Sequence, residues 1–252
     1  MARSEARSGV QSLDRAFDLL ELLAAAGGEL GLSELAASSS LPLPTIHRLM
    51  RTLVNRGYAR QLPSRRYALG PGLIHLGDVA GKMLGAWARP HLQRLVDVTG
   101  ETANLAILDG DEVVYVGQVP SRHAMRMFTE VGRRFLPHST GVGKALLAQL
   151  ADDEASALVS RTGLPAQTDR TITDQAVLRR ELGRIRTRGY ATDDGEQEPG
   201  VRCVAVPLVG APTLAAVSVS GPVSRLTPAA DDTVVPLLQQ TAAALVASLV
   251  ED

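Results

Sequence analysis

Residues Gly31–Tyr67 read GLSELAASSSLPLPTIHRLMRTLVNRGYARQLPSRRY, and the fold of the N-terminal part depends on this stretch. A short helix is predicted in LSELAASSS and a second helix in PTIHRLMRTLVNRG. Two short strands are predicted in YARQLPSRRYALG, which follows directly. Two short helices followed by a basic hairpin are typical of a winged helix-turn-helix, so we expect a DNA-reading head.

The second helix carries an apolar stripe, Ile46, Leu49, Met50 and Leu53, and polar residues on its other faces. Such a face is often only solvated, but the proline-bearing turn and the arginines at the hairpin tip favour DNA contact. In the major groove, arginine and histidine can donate to guanine, while the hairpin arginines would meet phosphates or the minor groove. We also expect Ser33 to cap the first helix and Pro44 to occupy the first turn of the second. The predicted DNA contacts are Ser33, Pro44, Thr45, His47, Arg48, Arg51, Arg65 and Arg66.

Charge is distributed unevenly along the 252 residues. The first 70 residues contain nine arginines and six acidic residues, whereas the remainder contains 17 basic and 21 acidic residues. A basic head on an acidic body is the pattern expected of a nucleic-acid-binding domain attached to another module. The single cysteine, Cys203, allows no internal disulfide, and no signal peptide or membrane-spanning run is evident. We therefore expect a cytoplasmic protein that does not contact a membrane.

The head is predicted to occupy residues 9–70, a linker residues 71–85 and a second domain residues 86–252. Before Gly31, a helix is expected whose buried face carries Leu13, Ala16, Phe17, Leu20 and Leu23. Glycines interrupt the linker and suggest hinge points. A helix near Trp87 follows the linker. Strands and helices then mix without strict alternation. A turn region at 162–174 looks disordered. The fold class is therefore α+β, with an antiparallel sheet flanked by helices.

Gly143-Lys144 resembles part of a phosphate-binding loop, but the spacing excludes it, because His138 occupies the required glycine position and Ala145 follows the lysine. The N–H groups of Gly141 and Val142 open a predicted helix and could bind a small anion. The alternative is a tight turn that merely needs glycine.

Two serines, Ser218 and Ser220, share one face of a predicted strand and could line a polar cavity. The alternative is that this is the solvent face of the sheet. We expect no catalytic residues, because nothing near Cys203, His138 and Asp193 activates a nucleophile. No metal site is expected, since the five histidines and one cysteine lack ligand spacing, and no cofactor is expected.

Over essentially its whole length the chain resembles the IclR-type transcriptional regulators. The head carries SLDRAFDLLELL, LSELAASSSLPLPTIHRLMRTLVNRGYA and RRYALG, and the body carries LPHSTGVGKALLA, GYATDDGEQEPGVRCVAVPL and AAVSVSGPVSRLT. The resemblance implies a winged helix-turn-helix, a linker helix and a GAF-like effector-binding domain with an antiparallel sheet.

The resemblance also implies an effector site. In relatives that respond to glyoxylate or pyruvate, the ligand lies against a Gly-Ala backbone pair, an aspartate, a cysteine and two serines. In this chain the pair becomes Gly141-Val142, and valine in place of alanine is expected to narrow the cavity. A small oxo-acid such as glyoxylate is the expected effector. The implied residues are Met127, Gly141, Val142, Asp193, Cys203, Ser218 and Ser220.

These features predict a repressor that binds double-stranded operator DNA as a homodimer or tetramer and is switched by a small organic acid. The linker and the helix around Trp87 are expected to pair the subunits. Two alternatives remain: a body that serves only as a dimerisation module, and a metabolic enzyme or small-molecule carrier with an incidental helical N-terminus.

Overall fold

A computed structural model describes residues 10–124 and 131–250, in two compact units, Met1–Ala80 and Gly81–Asp252. Met127, one of the expected effector-site residues, lies outside the described residues. The elements of the first unit are α1 Gln11–Ala25, β1 Glu29–Leu30, α2 Leu32–Ser39, α3 Leu43–Asn55, β2 Ala59–Gln61, β3 Tyr67–Leu69 and the start of α4 Gly72–Leu84.

Three helices and a small antiparallel sheet of order β1-β3-β2 form the first unit, as expected for a winged helix-turn-helix. Its core contains Leu19, Leu23, Leu35, Ile46 and Met50, all fully buried. Pro44 lies in the first turn of α3, as predicted, where the missing N–H costs no helical hydrogen bond.

Two details of this unit differ from expectation. Leu13 and Phe17 are about 60% exposed, because α1 turns Leu19, Leu20 and Leu23 towards the core instead. The prediction that Ser33 caps α2 is wrong.

Helix α2 begins two residues earlier than the Ser33 cap would require, and Gly31 is its N-cap. The Glu34 carboxylate accepts the Gly31 N–H at 2.6 Å, which leaves Ser33 exposed inside the first turn. An acidic residue three positions after the cap can satisfy this donor without a hydroxyl at the cap.

The segment predicted as a glycine-hinged linker is a continuous helix, α4. Gly77 and Gly81 lie inside it, and nothing lies within 4 Å of the place where a side chain would begin at either. The helix forms because glycine weakens but does not forbid helical backbone. The boundary between the two compact units falls within α4, at Ala80 and Gly81.

The second unit begins with a 3-10 turn, Ala86–Ala88, and is built on a six-stranded antiparallel sheet of order β6-β5-β4-β9-β8-β7. Its strands are β4 Thr102–Asp109, β5 Glu112–Val119, β6 Arg134–Phe135, β7 Ala191–Asp194, β8 Val201–Pro207 and β9 Ala215–Pro222. Its helices are α5 Arg89–Thr99, α6 Gly141–Leu147, α7 Asp152–Thr162, α8 Gln175–Arg188 and α9 Asp231–Val250. The predicted α+β class is therefore correct.

Helices cover both faces of this sheet. Helices α5 and α9 pack on the face that carries Val204, Val217 and Val219. On the other face lies the short helix α6, with α8 and α7 behind it. The hairpin predicted near Asp109-Gly110 is present, and its two turn residues are Gly110 and Asp111.

The turn region at 162–174, which looks disordered in sequence, is irregular but held by hydrogen bonds. The Thr168 hydroxyl donates to Gly195 O at 2.7 Å, and the Thr171 hydroxyl donates to Glu196 O at 2.6 Å. The imidazole Nε2 of His138 lies 3.0 Å from Pro165 O. These contacts are long-range, so local composition could not reveal them.

Substitution of Gly143 by alanine tests how tightly α6 is packed. A Cβ at this position would lie 2.2 Å from the carbonyl oxygen of Pro137, a backbone atom that cannot move without displacing the turn. We expect Gly143→Ala to lower the free energy of unfolding by about 2 kcal/mol or more. The matched control is Gly183→Ala in α8, where nothing lies within 4 Å of the added carbon. It should be neutral or stabilising by about 0.5–1 kcal/mol. Equal denaturation midpoints for the two variants would contradict the packing described here.

Candidate functional site

Helix α3 presents a basic, exposed surface opposite its buried face. His47, Arg48 and Arg51 are exposed, whereas Thr45 is half-buried. Arg48 and Arg51 lie one turn apart, on the same side of the helix. Within residues 10–124 and 131–250, neither arginine forms an ion pair, so both guanidinium groups are available to a polyanion.

The two arginines of the hairpin have different environments. Arg65 is exposed in the turn between β2 and β3, with a φ of +62°. Arg66 instead turns back into its own domain, where its guanidinium lies 3.0 Å from the Glu34 carboxylate and 3.3 Å from that of Glu29. The expectation that both arginines project from the hairpin tip is therefore wrong for Arg66, which fixes the hairpin to the start of α2.

A second group of predicted residues meets at one end of the large sheet. The register places Asp193 of β7 beside Cys203 of β8, Cys203 beside Ser220 of β9, and Ser220 beside Thr102 of β4. Strand pairing also places Ser218 on the same face, next to Asn104. The antiparallel register thus brings together side chains that are far apart in sequence.

Both serines are fully buried, so the interpretation of their strand face as a solvent face is wrong. The amide of Asn104 lies 3.4 Å from the Ser220 hydroxyl and accepts a 2.9 Å hydrogen bond from Gln118. The hydroxyl of Ser218 has no nitrogen or oxygen hydrogen-bond partner among the described residues, and its polar contact there is with the weakly hydrogen-bonding Cys203 thiol. A buried hydroxyl without a strong partner is costly and marks a place where a polar ligand or water can bind.

The N-terminus of α6 lies directly against this polar end of the sheet. A Cβ on Gly141 would be 2.9 Å from the Cys203 sulfur, so glycine is required by close approach rather than by a turn conformation. The Thr140 hydroxyl caps the helix by accepting the Gly143 N–H at 3.0 Å. Val142 is fully buried in the apolar cluster of this layer, so its contribution at the helix start comes from its backbone.

Sequence reasoning missed the charged part of this site. Lys144 is 1% exposed, and its ammonium donates to the Glu196 carboxylate. Glu196 belongs to a loop whose N–H groups at 196 and 197 donate to Asp193 Oδ1 at 2.7 and 3.4 Å. The Ser139 hydroxyl holds the same loop through Gln197 at 2.6 Å. A lysine inside the apolar run GKALLA needs a buried counter-charge, and this was the available signal in the sequence.

Burial alters the titration of the acidic groups in this cluster. Desolvation raises the pKa of Asp193 from 3.8 to about 7, although the hydrogen bond from the Glu196 N–H opposes the change. Burial also raises the pKa of Glu196, although the positive charge of Lys144 lowers it by a smaller amount. The carboxyl of Asp193 is therefore close to half-protonated at neutral pH.

The thiol of Cys203 does not have the properties of a nucleophile. Burial, with a smaller contribution from the Asp193 charge, raises its pKa to about 11. The thiol is therefore protonated at neutral pH, whereas nucleophilic cysteines have lowered pKa values. Across residues 10–124 and 131–250, no group of three or more metal-ligating side chains is arranged to hold a metal ion.

Comparison with known proteins establishes the family. The IclR helix-turn-helix domain model matches residues 12–63, and the model for the C-terminal domain of the bacterial transcriptional regulator IclR matches residues 79–247. The chain belongs to the IclR family of transcriptional regulators. The HTH-type regulator BhcR of Paracoccus denitrificans is 39% identical over 90% of this chain and 82% of its own length. The transcriptional repressor IclR of Escherichia coli is 37% identical, over 90% and 85% respectively.

Solved structures share the fold. An IclR regulator from Alicyclobacillus acidocaldarius superposes with a TM-score of 0.83 and 31% identity, covering 95% of this chain and 98% of that one. An IclR homologue from Microbacterium hydrocarbonoxydans, solved with 4-hydroxybenzoate, gives a TM-score of 0.80 at 24% identity, covering 96% and 100%. At that identity the comparison shows a shared fold and no more.

Within the described part of this chain, none of the helices is long and apolar enough to cross a membrane.

The raised pKa of Asp193 predicts how stability changes with pH. Because the folded protein holds this proton more tightly than the unfolded chain does, the contribution of Asp193 is complete below pH 3.8 and is lost as pH rises to about 7. Asparagine keeps an acceptor for the loop N–H groups and cannot ionise. Relative to the wild type, Asp193→Asn should therefore be more stabilising at pH 8 than at pH 5.

Denaturant unfolding at the two pH values measures this difference. The control, Asp194→Asn, removes an exposed carboxylate from the neighbouring residue and corrects for the loss of one surface charge. A stability difference between Asp193→Asn and the wild type that is the same at pH 5 and pH 8 would contradict the burial argument.

Proposed function

We propose that this IclR-family regulator is a repressor that binds operator DNA as a homo-oligomer and is switched by a small carboxylate, with glyoxylate as the first candidate. The observation that carries the sensing part is the Ser218 hydroxyl, which is fully buried where the polar end of the sheet meets the start of α6 and has no nitrogen or oxygen partner among the described residues. The DNA-binding part rests on the exposed arginines of α3.

In the head, α3 is the proposed recognition helix. Arg48, His47 and Arg51 can donate to guanine edges or phosphates, while Thr45 at the helix start can contact a thymine methyl. Pro44 and Ser33 lie near the N-terminal ends of α3 and α2, where backbone can approach a phosphate. Arg65 is the proposed wing contact. Arg66 is left out of the set because Glu29 and Glu34 hold it.

Two exposed apolar stripes support oligomerisation. Val10, at the N-cap of α1, and Leu13 and Phe17 within the helix are all more than half exposed and follow helical spacing. On α4, Leu76, Val79 and Met83 follow helical spacing and are exposed, Met83 by 76%. Exposed apolar surface of this kind commonly marks a protein interface, and two heads are needed to read a two-fold operator. Trp87, in contrast, packs on the core of its own domain.

In the sensor domain, the proposed effector contacts are the backbone at Gly141 and Val142 together with Asp193, Cys203, Ser218 and Ser220. The helix start supplies N–H groups without intrahelical acceptors. The serine hydroxyls supply further donors at the same place. Repression is proposed because the similar E. coli protein is a transcriptional repressor. An organic acid is proposed as the effector because the Microbacterium homologue of the same fold was solved with 4-hydroxybenzoate.

The role of Arg48 can be tested with an operator fragment. If Arg48 contacts a base edge, Arg48→Ala should weaken operator binding by about 1–3 kcal/mol, measured by gel-shift titration at fixed salt. Arg180→Ala removes the same charge from the exposed surface of α8 in the other domain and should have little effect. If both variants bind like the wild type, Arg48 is not part of the reading surface.

The effector site can be tested by thermal shift with glyoxylate, pyruvate and 4-hydroxybenzoate. We expect a small oxo-acid to raise the melting temperature by preferential binding to the folded state. Ser218→Ala should weaken binding of that ligand about 10- to 150-fold, the range for losing one hydrogen bond to a charged group. Ser160→Ala, on the exposed face of α7, is the matched control. If no oxo-acid stabilises the wild type, a body that serves only in oligomerisation is the better account.

A further inference from the structure

The buried cluster at the start of α6 has more acidic groups than basic ones. Asp193 is 2% exposed and the Glu196 side chain is 12% exposed, whereas Lys144 is the one buried ammonium facing them among the described residues. With both carboxyl groups ionised, this set carries one net negative charge. A carboxylate ligand placed beside this set would bring the net charge to two negative charges. In a region shielded from water, such an accumulation of charge is strongly unfavourable.

The other titratable groups packed around Asp193 do not offset this charge. Cys203 on β8 and Tyr115 on β5 are both buried, and burial raises the pKa of each, so both are neutral. His138, in the turn before α6, is also buried, and burial lowers its pKa, so its imidazole is neutral near pH 7. Glu196 and Lys144 complete the set, and the ammonium of Lys144 donates directly to the Glu196 carboxylate.

We propose that a small carboxylate enters this site together with one proton, which Asp193 carries in the complex. This inference rests on the proposed function of the same site and specifies its regulation. The proton comes from solvent. The free protein with ionised Asp193 combines with one ligand anion and one proton to form the complex. Effector binding above neutral pH is then coupled to proton uptake.

Asp193 is the appropriate proton carrier for geometric reasons. Both of its hydrogen bonds to described residues end on Oδ1, which leaves Oδ2 to hold the proton. The neighbours in register are Cys203 and, beyond it, Ser220, so the carboxyl lies at the edge of the polar face. A protonated carboxyl donates a hydrogen bond to an anion, whereas an ionised one repels it. Glu196 is less suited, because protonation would remove the negative charge that balances the buried Lys144 ammonium.

Isothermal titration calorimetry of the full-length protein with glyoxylate tests the proposal. The heat of binding is measured at pH 6 and pH 8 in buffers with different enthalpies of ionisation, and its dependence on the buffer gives the protons taken up. We expect uptake of about one proton per glyoxylate at pH 8 and close to none at pH 6, because Asp193 is already protonated there. The Kd should rise about tenfold per pH unit above about pH 7.

Two variants assign the proton. Asp193→Asn, whose amide can donate in place of the carboxyl, should bind glyoxylate with no proton uptake at pH 8 and with a Kd independent of pH. Asp194→Asn removes the exposed neighbouring carboxylate and should take up a proton as the wild type does. Unchanged proton uptake in Asp193→Asn would overturn the assignment.

The wild-type result separates this inference from the proposed function. If glyoxylate binds with the same Kd at pH 6 and pH 8 and without proton uptake, the anion site stands and the proton coupling is wrong. If glyoxylate does not bind at either pH, the proposed glyoxylate site is contradicted and the coupling with it.

Discussion

The structure of the C-terminal domain depends on how closely helix α6 approaches the sheet. A Cβ at Gly141 would lie 2.9 Å from the Cys203 sulfur of β8, and one at Gly143 would lie 2.2 Å from the Pro137 carbonyl oxygen in the turn before the helix, so glycine at these positions lets α6 pack against both. Close packing turns Lys144 into the interior, where an ammonium requires a counter-charge. Glu196 supplies it, and Asp193 and Ser139 hold the loop that carries Glu196. One steric constraint thus explains the position of each charged group in the site.

The same reasoning gives the two domains distinct electrostatic roles. In the head, Arg66 is held by Glu29 and Glu34 and stabilises the hairpin, so Arg48, Arg51 and Arg65 remain for a polyanion. In the C-terminal domain, the charges are buried and nearly balanced, and the small anion proposed as effector would change that balance. A ligand can shift a regulator only if it binds one of its states more tightly than the other. The buried cluster is a site where binding of one charge has a large energetic effect, because water does not screen it.

Much of the fold was predictable from local pattern, and the failures have identifiable physical causes. Periodicity located α3 and the strands of the large sheet, because each depends on residues close in sequence. Periodicity misplaced the buried face of α1. Leu19 rather than Phe17 lies in the core, because tertiary packing determines which face of the helix is buried. The burial of Ser218 and Ser220 depends on which helix covers the strand, and the Lys144–Glu196 pair joins residues 52 positions apart. Neither fact can be read from composition or spacing.

The central claim is that occupancy of the polar end of the sheet controls the DNA-reading head. Fluorescence anisotropy of a labelled operator, titrated with the full-length protein with and without saturating glyoxylate, measures this coupling directly. The account predicts that the operator Kd changes by at least about fivefold, which is the low end of allosteric coupling. It also predicts that Ser218→Ala reduces the change at the same glyoxylate concentration. An operator Kd that is identical with and without glyoxylate, under conditions where calorimetry shows the ligand bound, would contradict it.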